Sequence, residues 1–257
     1  MDIKKDDLLI NPPKQFRPIS LWAWNTRLYK EETARQIAQM DEAGTGGVVI
    51  HARGGLRTGY MGHEWMENIR MAVAACQRHG MDIWCYDEYG KPSGNAAGSV
   101  SGMGEKYQQK YLRCSITPLK QGVKPIASIP VHGRLYYFYY EVNENYVDFL
   151  EPKVTEAFLR SVHQQYKRRL GSYIESLAGF FTDEPQISSG GYPWTPSLPA
   201  EYQKQYEESL LEKLPDLFFT VKRLIERASA SGGSSPSSLQ SAIQNRLPDG
   251  AMKMDCS

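Results

Sequence analysis

Cysteine is scarce and scattered in this chain of 257 residues: Cys76, Cys85, Cys114 and Cys256 form no C-x-x-C pair. That spacing argues against a disulfide framework or a zinc site. Cys76 falls on the apolar face of a helical pattern and Cys85 inside a strand pattern, so both read as small core residues. An excess of one charge is also missing. Thirty basic and 29 acidic side chains leave a formal charge of +1, which gives no electrostatic case for nucleic acid or an anionic membrane. No apolar run is long enough to span a bilayer, and Met1-Asp2-Ile3-Lys4-Lys5-Asp6-Asp7 has no apolar signal core behind it. A cytoplasmic chain is expected. Gly54, Gly55, Gly59 and Gly62 fit no phosphate-loop spacing, and no Ser or Cys stands in a nucleophile-elbow context.

What the chain does have is acids at the ends of apolar runs. Ala178-Gly179-Phe180-Phe181-Thr182 stops in Asp183-Glu184-Pro185. Burial of the run makes a strand, and the proline, which has no N–H for a ladder, ends it at the acids. Met81-Asp82-Ile83-Trp84-Cys85-Tyr86 runs in the same way into Asp87-Glu88 and then into the turn-rich Tyr89-Gly90-Lys91-Pro92-Ser93-Gly94. Two strands that deliver carboxylates at their C-terminal tips predict an acid-lined site on an α/β scaffold.

In order, residues 1–17 form a polar lead-in, and Ile19–Asn25 is the first strand, with Trp24 and Asn25 at its exit. A helix is expected over Lys30–Ala43, acidic in its first turn and stopped by Gly44. A second strand, Gly46–Ile50, carries His51 and Arg53 at its tip, and a glycine-rich loop leads to a helix over His63–His79. After the third strand the alternation breaks. Tyr111–Thr117, Ile126–Val131, Leu135–Val142 and Tyr146–Leu150 read as short strands of an antiparallel excursion covering about 111–150. One helix from Pro152 to Leu170 then precedes the strand bearing Glu184. Tyr192 and Trp194 look exposed in a turn-rich segment, and helices are expected over Ala200–Lys213 and Asp216–Arg227. The Ser- and Gly-rich residues 228–257 lack the apolar content for a core and are expected to be disordered.

The strand–helix alternation over 18–227 predicts about four βα units of an incomplete (β/α)8 TIM-like barrel, since a complete one takes about 250 residues. Acids at strand ends suit glycoside hydrolysis, in which one carboxyl protonates the leaving oxygen and another acts as base or nucleophile. Some of Asp87, Glu88, Asp183 and Glu184 could instead cap a helix or pair with an arginine, and His51 could be a satisfied structural histidine. Trp24 could stack on a sugar face or belong to the core. If a metal binds, acids with backbone carbonyls suit calcium better than zinc.

Ser20-Leu21-Trp22-Ala23-Trp24-Asn25, His51-Ala52-Arg53 with its glycine-rich follower, Tyr86-Asp87-Glu88-Tyr89-Gly90-Lys91-Pro92-Ser93-Gly94 and Phe181-Thr182-Asp183-Glu184-Pro185 occur in that order. Together they resemble the N-terminal catalytic region of the α-L-rhamnosidase-like glycoside hydrolases, glycoside hydrolase family 106 and relatives, over about residues 16–220. The resemblance implies a TIM-like barrel that removes a terminal deoxysugar from a plant-type glycan, with inversion, and a calcium ion near the sugar hydroxyls. It implies Glu184 as the best catalytic carboxylate, with Glu88, His51 and Arg53 lining the pocket; the strand-tip pattern adds Glu88 as a second catalytic candidate and Asp87, Asp183, Trp24 and Asn25 as substrate-binding candidates. Members of that family continue through further barrel strands, where a second catalytic acid is expected. A fragment with little or no activity alone is therefore the expectation, and a non-catalytic carbohydrate-binding remnant is the alternative.

Overall fold

The computed structural model describes residues 12–188 and 190–219. The lead-in up to residue 11, the Ser-rich tail and the part of the helix expected over Asp216–Arg227 that follows residue 219 lie outside them. Three-residue 3-10 turns aside, the order is β1 (Ile19–Trp24), α1 (Lys30–Glu42), β2 (Gly47–Ala52), α2 (His63–His79), β3 (Asp82–Tyr89), β4 (Gln108–Ser115), β5 (Ala127–Val131), β6 (Arg134–Val147), α3 (Pro152–Ser161), α4 (His163–Leu170), a 3-10 turn (Gly171–Ser176), β7 (Gly179–Phe181), β8 (Tyr192–Trp194) and α5 (Leu198–Tyr206). Residues 210–219 are also helical.

The helices begin and end where local chemistry dictates. Glu31 and Glu32 face the positive end of α1. Gly80 closes α2 in the left-handed conformation, its N–H reaching the carbonyls of Cys76 and Gln77. Pro152 opens α3 at the first turn, where its missing N–H costs nothing. Three expectations are corrected. The helix expected over Ala200–Lys213 ends at Tyr206, and a separate helical run covers 210–219. The helix expected over 152–170 is two helices, broken at Val162 (φ −117°, ψ −75°). The separate strands expected at 135–142 and 146–150 are one continuous β6.

The chain divides into two compact units. Among the described residues the first holds 12–111 together with Val142–Thr195. Its sheet is parallel, in the order β1-β2-β3-β7. The core lies under one face of that sheet: Trp24, Val48, Ile50, Ile83 and Cys85 pack against Ile37, Trp65, Ile69, Val73, Cys76, Val154, Phe158 and Tyr166. Cys76 and Cys85 are free thiols inside it, as their patterns predict, and burial pushes both up to about 12. Strand alternation turns Ile19, Leu21 and Phe181 to the opposite face, where all three remain exposed. Among the described residues the four strands form an open sheet and not a closed barrel.

The second unit holds Leu112–Glu141 and, among the described residues, 196–219, so its first segment falls inside the 111–150 excursion. Its hairpin pairs β5 and β6 antiparallel, with Ile129 opposite Tyr136. Phe138 is fully buried in it and packs against Phe218. No helix among the described residues is long and apolar enough to cross a membrane.

Candidate functional site

Neighbouring parallel strands end on the same side of a sheet, so the acid-bearing tips of β3 and β7 meet. Tyr86 stands opposite Phe181 in the register. Between β2 and β3 the register slips: Ile50 faces Cys85, but Ala52 already faces Tyr89. One residue of β2 therefore spans three of β3, and Asp87 and Glu88 lie in this irregular stretch.

Both acids turn inward. Asp87 is fully buried and accepts the Ser93 hydroxyl at 2.6 Å and the Thr182 hydroxyl at 2.5 Å. His163 Nε2 stands 3.5 Å from the same carboxylate. Glu88 sits in a nest of backbone amides. Its Oε1 accepts from the N–H groups of Tyr89 (2.9 Å) and Ala97 (2.6 Å), and its Oε2 from those of Gly94 (3.2 Å), Asn95 (2.7 Å) and Ala96 (2.6 Å). Ala96 and Ala97 both take left-handed backbone angles to aim these donors. Burial raises the Glu88 carboxyl above its usual range, against the pull of the amides.

Asp183 accepts the Tyr86 hydroxyl at 2.5 Å. Its own N–H donates to Ser93 Oγ at 3.0 Å, and its carbonyl accepts the Ser93 N–H at 2.9 Å. Burial, with Asp183 next, pushes the Tyr86 hydroxyl well up. Glu184 differs from the other three acids. Its side chain is 71% exposed, with the Lys91 ammonium 4.0 Å away.

His51 is 1% exposed and stacks on Tyr86 with ring centres 3.5 Å apart. Its Nε2 lies 2.8 Å from the Gly90 carbonyl, which can only accept, so that nitrogen carries the proton. Nδ1 is then a buried acceptor without a partner. Burial lowers the His51 pKa, with Gly90 opposing, and favours the neutral ring.

A cavity of about 440 Å³ opens beside these tips, lined by Tyr60, Tyr89, Lys91, Asn95, Asn145 and Tyr146 among others, with Glu88 in its wall. The Tyr60 hydroxyl is buried and has no partner. Tyr146 donates its hydroxyl proton to the Ser93 carbonyl at 2.6 Å and accepts the Gln186 N–H at 3.1 Å.

Several expectations change in this light. Glu88 does not serve as a second catalytic carboxylate in this geometry, because five N–H groups occupy its two oxygens. Asp87 and His51 are sealed from any substrate. Trp24 is a core residue, edge-on to Trp22 and Trp65, and Trp194 is buried, not exposed. Arg53 and Asn25 are exposed, but neither is among the residues lining the cavity. Ser93, Tyr146, Tyr60 and Lys91 were missed. Ser93 and Lys91 stood in the motif but read as turn residues, and no local signal marks Tyr60 or Tyr146.

The acids do not make a calcium site. Calcium takes six to eight oxygens, and here Asp87 and Glu88 already accept hydroxyl or amide donors on both oxygens. Among the described residues no group of three or more His, Cys, Asp or Glu side chains is arranged to hold a metal ion.

Neither a family model nor a curated protein matches this sequence. Among solved structures the chain is similar to a rhamnosidase from Novosphingobium sp. PP1Y, with 22% identity and a TM-score of 0.38. The match covers 50% of this chain and 13% of that one. This chain therefore spans a small part of that protein's length.

Proposed function

We propose that this chain is a catalytic-domain fragment of a glycoside hydrolase, built as part of a βα barrel over residues 18–227. Its cavity holds a terminal deoxysugar of the α-L-rhamnoside type, and Glu184 is the carboxylate that serves as acid or base. The observation that carries this reading is an exposed carboxylate 4.0 Å from the Lys91 ammonium, which itself lines a sugar-sized cavity at the C-terminal ends of parallel strands. That is the end where parallel barrels keep their chemistry. Tyrosine rings and side-chain amides around a concave space suit a polyol with one apolar face. The open sheet face bearing Ile19, Leu21 and Phe181 agrees with a barrel fragment, because parallel sheets are ordinarily covered on both faces.

Glycoside hydrolysis uses two carboxyl groups. With Asp87 and Glu88 occupied, the partner of Glu184 is supplied from outside the described residues, and the chain alone turns over slowly if at all. The test is an aryl α-L-rhamnoside assay combined with rhamnose binding followed by NMR. Binding at millimolar sugar with feeble turnover, abolished in Glu184→Gln while binding persists, is the expected result. Absence of binding by any neutral monosaccharide would sink the reading. Turnover that persists in Glu184→Gln would remove Glu184 from its role.

A further inference from the structure

We propose that Ser93 and Tyr146 are positioning residues that clamp the chain on both sides of Glu184 and so hold its carboxylate within reach of Lys91 in the cavity wall. The proposal rests on the reading that Glu184 is the acting carboxylate.

Glu184 has φ +42°, in the left-handed region. A long L side chain adopts this conformation rarely, and it persists only where the surroundings over-determine it. Those restraints can be named. On the N-terminal side, Asp183 is bonded to Ser93 through both its N–H and its carbonyl, at 3.0 and 2.9 Å. On the C-terminal side, the Gln186 N–H donates to the Tyr146 hydroxyl at 3.1 Å. Between the two anchors, Tyr146 donates to the Ser93 carbonyl at 2.6 Å and closes the ring.

Ser93 is itself fixed. Its side chain is fully buried and donates to Asp87, which also accepts Thr182 from the β7 side. Every polar group of Ser93 is thereby spent on the clamp: N–H on Asp183, hydroxyl on Asp87 and Asp183, carbonyl on Tyr146. Pro185 between the anchors has no N–H to offer. The backbone angle of Glu184 is thus imposed from outside by two residues that touch neither end of its side chain.

A double-mutant cycle tests this without needing activity. Glu184→Gly removes the left-handed strain and is expected to raise the unfolding midpoint in the wild-type background. In Tyr146→Phe, which keeps the ring and deletes the hydroxyl, residues 184–186 relax and that gain shrinks. Ser93→Ala is the second clamp variant and is expected to shrink the gain in the same way. Equal gains in all three backgrounds would overturn the clamp. Where the wild-type chain cleaves an aryl rhamnoside, Ser93→Ala, at a residue that does not line the cavity, should lower kcat on the order of tenfold to a hundredfold with KM nearly constant. A changed KM at constant kcat also overturns it. A wild-type chain that neither binds nor cleaves sugars defeats the function proposed above and leaves the cycle to decide the clamp alone.

Discussion

The Tyr86 hydroxyl donates to the Asp183 carboxylate at 2.5 Å, joining the last regular pair of the β3–β7 register to the first acid beyond it. The two acidic tips are therefore one hydrogen-bonded body. Within it the acids divide by environment: Asp87, Glu88 and Asp183 hold structure, and Glu184 faces solvent.

Replacing Glu88 by Gln keeps the shape but turns one acceptor oxygen into a donor facing backbone donors. At least two amides of the nest then lose their partner inside the protein. A loss of about 2 kcal/mol or more in urea unfolding is expected, with faster hydrogen exchange at Gly94–Ala97. Unchanged exchange there would show that the loop holds without the carboxylate.

Gly94 donates to Glu88 and has φ +126°, and a Cβ at this position would overlap the ring of Phe149. Gly94→Ala combines backbone strain with overpacking and should cost about 1–3 kcal/mol. Truncating the ring in Phe149→Ala in the same chain should recover part of that loss relative to the sum of the single changes. Strict additivity would mean the clash is relieved elsewhere.

Acid should unfold this protein through its histidines. Burial lowers the pKa of both His51 and His163, with Asp87 opposing at His163. The unfolded chain takes up those protons first, so the stabilising contribution is complete above the ordinary histidine value of about 6.5 and is lost as pH falls through the lowered folded values. Denaturation midpoints should therefore fall from pH 7 to pH 5, and His51→Gln should flatten the slope. A midpoint independent of pH across that range would contradict the buried neutral rings.

In the core, the Trp65 indole N–H donates to the Tyr166 hydroxyl at 3.0 Å, linking α2 to α4. Both side chains are fully buried. Tyr166→Phe leaves that N–H without an acceptor and should cost about 1–3 kcal/mol. Trp65 fluorescence reports whether the pocket opens.

Elements came out of the sequence where the signal was local. Glycine after the apolar stripe ends α2, proline at the first turn opens α3, and apolar runs closed by acids mark β3 and β7. The break at Val162 was not legible, because the apolar stripe carries on across it and only the backbone angles change. Nor was the continuity of β6, since Asn143, Glu144 and Asn145 read as a turn in a linear pattern although the strand runs through them.

By itself the sequence determined the strand–helix alternation, the burial of Cys76 and Cys85, and the delivery of four acids to two strand tips. Each of these depends on periodicity or on a residue's own backbone limits within a few positions. Tertiary structure alone decided which acid stays free. Asp87 and Glu88 are adjacent and chemically alike, and they are silenced by Ser93, Thr182 and the amides of residues 89–97. The residues on either side of Glu184 are bonded to distant partners: Asp183 to Ser93, about ninety residues before it, and Gln186 to Tyr146, about forty before it. Hydrogen-bond partners at such separations are chosen by the fold, and a linear pattern does not encode them.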